Sequence, residues 1–378
     1  MDFWLINGLV NDAVTPAPRQ CDIHIKDGKI AEIGKYTAGE AVDAAGLQIF
    51  PGLVEAHCHL GVCGWGTRYD GSDCNERADC IYPELEIIDA FNPLDETLRL
   101  AVEAGVTCVG TGPGSSNVLG GTFAAIKTHG VCVDEMVVKR KVAMKCAFGE
   151  NPKNTHKDKA INNRMTIAAK LRDTLFKAKD YMAKLDAAEK NGEKKPDFNF
   201  KLHALLPVLR KEIPLKAHCH QANDIFTAIR IAREFDLNLT IEHCTEGHLI
   251  AGHLAKAGYP LAVGPSMTHC SKPELRNKSI STAAVLHRAG CKVSIITDSS
   301  VTPQQHLALC AATAVKGGMD EFAALQAITI NPAHHLGIAD RVGSIEVGKD
   351  ADFVICDKSV IDYTSKVKMV FIDGKKVY

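Results

Sequence analysis

Two histidines one residue apart, His57 and His59, end a short apolar run that begins at Pro51-Gly52-Leu53-Val54. On an extended strand, residues i and i+2 point to one side, so this pair can present two imidazoles to a single ion. The pair alone is weak evidence, since two partly buried histidines near a strand end would look the same. Three further residues strengthen it: His218 closes the run from Leu215, His243 closes the run from Leu239, and Asp298 closes the run from Val293. Imidazoles and a carboxylate gathered from separate strand ends suit Zn²⁺ or a similar divalent ion with one position left open for water. Such an ion lowers the pKa of water towards neutrality and polarises a carbonyl, while a nearby carboxylate shuttles the proton. Asp298 is the candidate for that shuttle. Its bland alternative is a helix N-cap, with Ser299, Ser300 and Thr302 beside it.

These residues need a scaffold that brings distant strand ends together. The 378 residues are 46% hydrophobic, enough for a large core, and the length fits one α/β barrel with a small appendage better than several modules. Lys plus Arg (44) nearly cancels Asp plus Glu (45), which argues against nucleic acid and anionic membranes and for a small-molecule substrate. The chain start lacks a basic, then apolar, leader, and no later stretch is long enough to span a bilayer, so the expected location is cytoplasmic. The fourteen cysteines are scattered, several inside apolar strands, and read as reduced thiols. Cys63, Cys74 and Cys80 share one loop, but their spacing matches no familiar zinc knuckle.

Along the chain, the first fifty residues alternate short strands and turns, with Asp27-Gly28 marking a hairpin. The far end repeats that texture from Gly343 to Ile355 and from Val367 to Asp373-Gly374. Two β-rich ends predict one discontinuous β-sandwich domain, residues 1–50 plus 341–378, around a barrel at 51–340. Between them, apolar runs alternate with helical patterns, the βα rhythm of an eight-stranded (β/α)8 TIM-like barrel. The segment from Gly112 to Gly121 lacks any nucleotide fingerprint and reads as a turn at the barrel mouth. Leu171, Leu175, Ala178, Met182 and Leu185 form one face of a long charged helix. In such barrels the chemistry sits at the C-terminal strand ends.

The motif Pro51-Gly52-Leu53-Val54-Glu55-Ala56-His57-Cys58-His59 resembles the opening motif of the amidohydrolase superfamily, and His218, His243 and Asp298 match its strand-five, strand-six and strand-eight positions. The segments from Ala327 to Gly337 and from Gly343 to Asp352 resemble it too, so the likeness covers nearly the whole chain. Pro113-Gly114-Ser115 and Gly149-Glu150-Asn151-Pro152-Lys153 are similar to an imidazolonepropionase-related branch. The resemblance implies a metal-dependent hydrolase of C–N bonds with one or two divalent ions, zinc foremost, in which Asp298 passes a proton to the leaving nitrogen. It also implies a ligand from the middle strands, a glutamate or a carboxylated lysine. Glu150 is favoured because it follows the apolar run among loop residues; Lys145 is the alternative.

Substrate contacts are expected from His220, which shares a strand face with His218, and from Lys153 and His269. Thr245, Glu246, His248 and Lys272 also follow strand ends. After His218 the sequence runs Cys219-His220-Gln221, where imidazolonepropionase-like and deaminase-like members carry acidic residues, which argues against those substrates. The expected substrate is a cyclic amide, an N-acyl amino acid or a similar small molecule. A dipeptidase or carboxypeptidase on the same site is the alternative, with Lys153 or Lys272 meeting the substrate carboxylate. A non-catalytic scaffold has no need for the full residue set. A homo-oligomer is compatible with all of these readings.

Overall fold

In the computed structural model, which describes residues 1–64, 71–157 and 161–378, eight strands form one nearly closed sheet. They are β1 (Leu53–Cys58), β2 (Val106–Thr111), β3 (Leu119–Lys127), β4 (Val137–Ala147), β5 (Leu215–Cys219), β6 (Leu239–His243), β7 (Leu261–Val263) and β8 (Val293–Ile295), neighbours in that order. The seam between the last strand and the first is closed by polar contacts. His59 N–H donates to the Ser299 carbonyl at 2.7 Å. The buried Glu55 carboxylate accepts from Thr297 N–H (2.9 Å), the Thr297 hydroxyl (2.7 Å), Gln304 Nε2 (3.1 Å) and His57 N–H (3.0 Å).

The expected parallel rhythm breaks once. β3 runs antiparallel to both β2 and β4, whereas the other neighbours pair in parallel. The reason is loop length. Only residues 112–118 connect β2 to β3, and a parallel crossover needs a dozen residues or more. The glycine-rich segment is therefore the turn at the mouth that sends the chain back down the barrel. Helices cover the remaining strands, among them Arg164–Asn191, which buries Leu171, Leu175 and Ala178 on one face. The stretch before it, 158–160, lies outside the described residues.

Strands from both chain ends build two further sheets. In one, Lys29–Gly34, Asp22–Lys26, Asp2–Ile6 and Ala41–Asp43 lie side by side; in the other, Gln48–Pro51 pairs with Phe353–Cys356, which pairs with Val367–Ile372. They share an apolar core of Phe3, Leu5, Ile23, Ile25, Ile49, Phe353 and Phe371. Asp27 and Gly28 both take positive φ (50° and 78°), as a two-residue hairpin turn of this hand requires. Lys127 at the end of β3 ties the barrel to this region through Asp350 (3.0 Å), Asp352 (2.5 Å) and Asp373 (3.2 Å). Among the described residues no helix is long and apolar enough to cross a membrane.

Candidate metal centre

Strand alternation aims Glu55, His57 and His59 inwards from β1 while Val54, Ala56 and Cys58 pack outwards or into the wall. His57 and His59 meet Asp298 from beyond β8: His57 Nε2 lies 3.7 Å and His59 Nε2 3.4 Å from Asp298 Oδ1. His218, His220 and His243 form a second knot beside the first, with ring centroids of His218 and His243 4.4 Å apart. The two knots touch, His57 and His243 having centroids 5.1 Å apart. Within each trio the ligand-capable atoms lie within 4.8 Å of one another.

Four of the five rings are held at the nitrogen facing away from the centre. His57 Nδ1 pairs with Glu242 Oε2 (3.0 Å), His59 Nδ1 with the Gly112 carbonyl (2.7 Å), His243 Nδ1 with the Gly264 carbonyl (3.0 Å) and His220 Nδ1 with the Thr245 hydroxyl (2.8 Å). Anchors of this kind fix the ring and present Nε2 to an ion. Glycine is required at one anchor: Gly264 has φ +139°, and a Cβ there would sit 2.5 Å from the Ile296 carbonyl oxygen. His243 (φ 70°) and Asp298 (φ 52°) also adopt left-handed backbone. Strain of this kind concentrates at functional sites. In His243 it breaks alternation, so that both Glu242 and His243 reach the interior.

The electrostatics favour ligation. Burial, aided by Lys145, keeps His57 well below the usual imidazole range; burial and the neighbouring His243 and His220 do the same to His218. Burial brings His243 to about 4. All three are therefore neutral, as metal ligands must be. Burial works to raise Asp298, but His243, His59 and His57 hold it far below the ordinary carboxylate range. Asp298 Oδ1, His218 Nδ1 and His243 Nε2 are buried without a hydrogen-bond partner. Buried polar atoms are seldom left unpaired, so these orphans fit a cation bound among them.

Of the two middle-strand candidates, Lys145 is the one beside the histidines. It lies in β4, fully buried, with Nζ 3.1 Å from His57 Nε2, and burial lowers its ammonium to about 8. Glu150 is not brought to the histidines. It opens the short helix Glu150–His156, its N–H donates to Glu274 Oε2 (3.0 Å), and its carboxylate accepts from Asn154 (3.4 Å). A residue at a strand end points along the barrel, whereas one past it is carried sideways by the helix. Of the other expected contacts, His220 is in the cluster, Lys153 is half-buried on that helix, and His269 is exposed, with its carbonyl facing Lys278.

Four residues below the histidine cluster escaped the sequence reading. Glu242 joins His57, Lys216 Nζ (2.9 Å) and His335 Nε2 (3.0 Å) in a buried network, and Phe123 from β3 stacks under His57 at 5.0 Å. Lys216 sits two residues before His218 and so shares its face, which was a usable signal. At the rim, Glu274 is buried, 3.6 Å from His220 Nε2 and 2.5 Å from Lys272 Nζ, and Lys272 also reaches Asn151 Oδ1 (2.9 Å). Cys63 and Cys74 lie in the loop above, with Cys63 Sγ 3.4 Å from the Ser300 hydroxyl; among the described residues neither joins a metal-competent group.

The sequence profile described as Amidohydrolase family matches residues 48–377. An amidohydrolase from Hapsidospora irregularis, tasK, is 28% identical over 93% of this chain, which spans 39% of that protein. An imidazolonepropionase from Thermoplasma volcanium is 26% identical over 94% of this chain and 90% of its own. The structure of an amidohydrolase from Thermotoga maritima superposes with a TM-score of 0.96 at 39% identity, covering 100% of this chain and 99% of the other.

Proposed function

Because the chain belongs to the amidohydrolase family and is a hydrolase of carbon–nitrogen bonds, we propose that it cleaves a small cyclic amide, N-acyl amino acid or related substrate at a zinc centre, with Asp298 as the proton shuttle. His57, His59 and Asp298 would hold the ion together with His218 and His243, and Lys145, rather than Glu150, would supply the middle-strand contact. When bound, the ion supplies Lewis acidity and a water acidic enough to react near neutral pH.

The observation that carries this reading is the meeting of Asp298 with the imidazoles of His57, His59 and His243 around unpaired buried atoms. A carboxylate kept ionised among imidazoles accepts a proton from the attacking water and, being aimed at the same cavity, returns it to the departing nitrogen. Its left-handed backbone fixes that aim. Glu242 holds His57 in one orientation: burial opposes its charge, but Lys216 and His335 keep it ionised. Lys272, steadied by Glu274 and Asn151 at the rim, offers an ammonium for a substrate carboxylate, which suits N-acyl amino acids and ring-opened products. A peptidase acting on short peptides would use the same ammonium; one of the structures sharing this fold, a Xaa-Pro dipeptidase, superposes with a TM-score of 0.60 at 17% identity.

The deciding experiment is a screen of cyclic amides, N-acyl amino acids and dipeptides with zinc-reconstituted protein, each hit repeated with Asp298→Asn. Turnover of ring-closed or N-acyl substrates, lost in Asp298→Asn, supports the proposal. Turnover confined to dipeptides replaces it with the peptidase reading, and activity that survives Asp298→Asn removes the shuttle.

A further inference from the structure

Above the histidine cluster two thiols meet. Cys63 forms an antiparallel bridge with Ser72, closed by Asp73 N–H to the Val62 carbonyl (2.9 Å) and Gly64 N–H to the Gly71 carbonyl (3.2 Å). Cys74, two residues past Ser72, is therefore the diagonal neighbour of Cys63 on one face, and the two side chains hydrogen-bond to each other. Each sulfur has a further contact outside the pair: Cys63 Sγ lies 3.4 Å from Ser300 Oγ, and Cys74 Sγ accepts from Asn75 Nδ2 at 3.2 Å. Asn75 in turn accepts from Ser116 N–H (3.0 Å), and the Cys74 carbonyl accepts from Gly114 N–H (2.6 Å). One thiol thus belongs to the loop that leaves His59, and the other is knitted to the turn between β2 and β3. The two differ in character. Contact with Cys74 and Ser300 holds the Cys63 thiol below its ordinary range against burial, whereas contact with Cys63 and burial push Cys74 above it. In the barrel wall Cys108, Cys146, Cys219 and Cys244 are fully buried, and burial raises each of them.

We propose that Cys63 and Cys74 form a reversible redox site at the barrel mouth, where a hydroperoxide converts the two thiols to a disulfide. Cys63, partly exposed, attacks the peroxide as the thiolate. An S–O bond forms, the O–O bond breaks, and the departing oxygen takes up the proton that Cys63 gave, leaving as water or an alcohol. The Cys74 sulfur then attacks the sulfenic sulfur: an S–S bond forms, the S–O bond breaks, and hydroxide departs with the Cys74 proton as water. Two electrons pass from the sulfurs to the peroxide bond, and a dithiol reverses the change. As Cys63 turns to Cys74 it leaves Ser300, two residues past Asp298, and the loop after β1 becomes covalently tied to the segment held by the β2–β3 turn. None of these steps draws on the metal or on amide hydrolysis.

The test is to treat the full chain, reduced and then freed of reductant, with stoichiometric hydrogen peroxide, block the remaining thiols with a maleimide and map the digest without reductant. Two of the fourteen thiols should be lost, in a peptide joining Cys63 to Cys74, and dithiothreitol should return both. Cys74→Ser should stop at a Cys63 sulfenic acid that dimedone labels, whereas Cys63→Ser should lose no thiol and take no label. Circular dichroism establishes that each variant is folded; should Cys74→Ser not fold, Cys74→Ala takes its place with the same label expected. A disulfide formed between other cysteines would overturn the proposal, as would oxidation of folded Cys63→Ser at the wild-type rate. So would a folded wild type that keeps all its thiols under excess peroxide.

Discussion

Two buried clusters of charged and polar side chains sit at opposite ends of β3 and β4, and they are finished differently. Around Lys127, every charge has a partner: three carboxylates converge on its ammonium, and Arg341 (2.8 Å) and Lys29 also reach Asp350. Around Asp298, atoms as deeply buried are left unpaired. The closed cluster is held by its own chain and joins barrel to terminal sheets. The open one is costly without a guest, because unpaired buried polar groups forfeit their hydration. Depth of burial does not separate structure from function here; completeness of pairing does.

The sharpest way to break the contrast is Asp298→Asn. We expect hydrolysis to fall by roughly 10³-fold or more, the combined scale of a lost proton shuttle and a lost ligand, while the unfolding free energy stays the same or rises, since charge is removed from a strained, crowded position. Steady-state kinetics and a urea melt on one preparation measure both. Lys127→Met should do the reverse, costing about 3–5 kcal/mol by leaving Asp350 and Asp352 buried without a counter-charge, with turnover per folded molecule unchanged. A smaller effect comes from the guest itself: zinc at about 100 times its Kd should stabilise wild type by about 2.7 kcal/mol. Thermal melts with and without chelator should show that increment kept in Lys127→Met and lost in His57→Ala. Smallest is Cys63→Ser, expected within about 0.5 kcal/mol of wild type with metal content unchanged; loss of an equivalent would instead mark the cysteine loop as a metal site.

What was legible in the sequence was whatever strand alternation alone decides. His57 and His59 share a face by spacing, and His218, His243 and Asp298 mark strand ends where apolar runs stop. Lys145 was ranked behind Glu150 because its face depends on register: β4 runs eleven residues, from Val137 to Ala147, and the polar residue beyond its end looked better placed than the one within it. Glu242 was hidden because alternation sets it opposite His243, and only the positive φ of His243 brings both inwards. The hairpin of β3 was half visible. The glycine segment read as a turn at the mouth, yet its consequence, an antiparallel strand in the barrel, follows only when the loop is counted against the length of a crossover. His220 was placed beside His218 from its spacing, but its anchor, Thr245, comes from the next strand's loop and is a tertiary fact.

The pairing of Gln48–Pro51 with Phe353–Cys356 has a temporal meaning. A ribosome delivers the first of these strands about 300 residues before the second, so the sheet cannot close until nearly the whole barrel has been made. During that interval Lys127 is already in the chain while Asp350, Asp352 and Asp373 are not. The growing polypeptide must therefore keep that ammonium in water and leave the foot of the barrel unsealed, and a segment synthesised after the barrel is the one that locks Gln48–Pro51 in place.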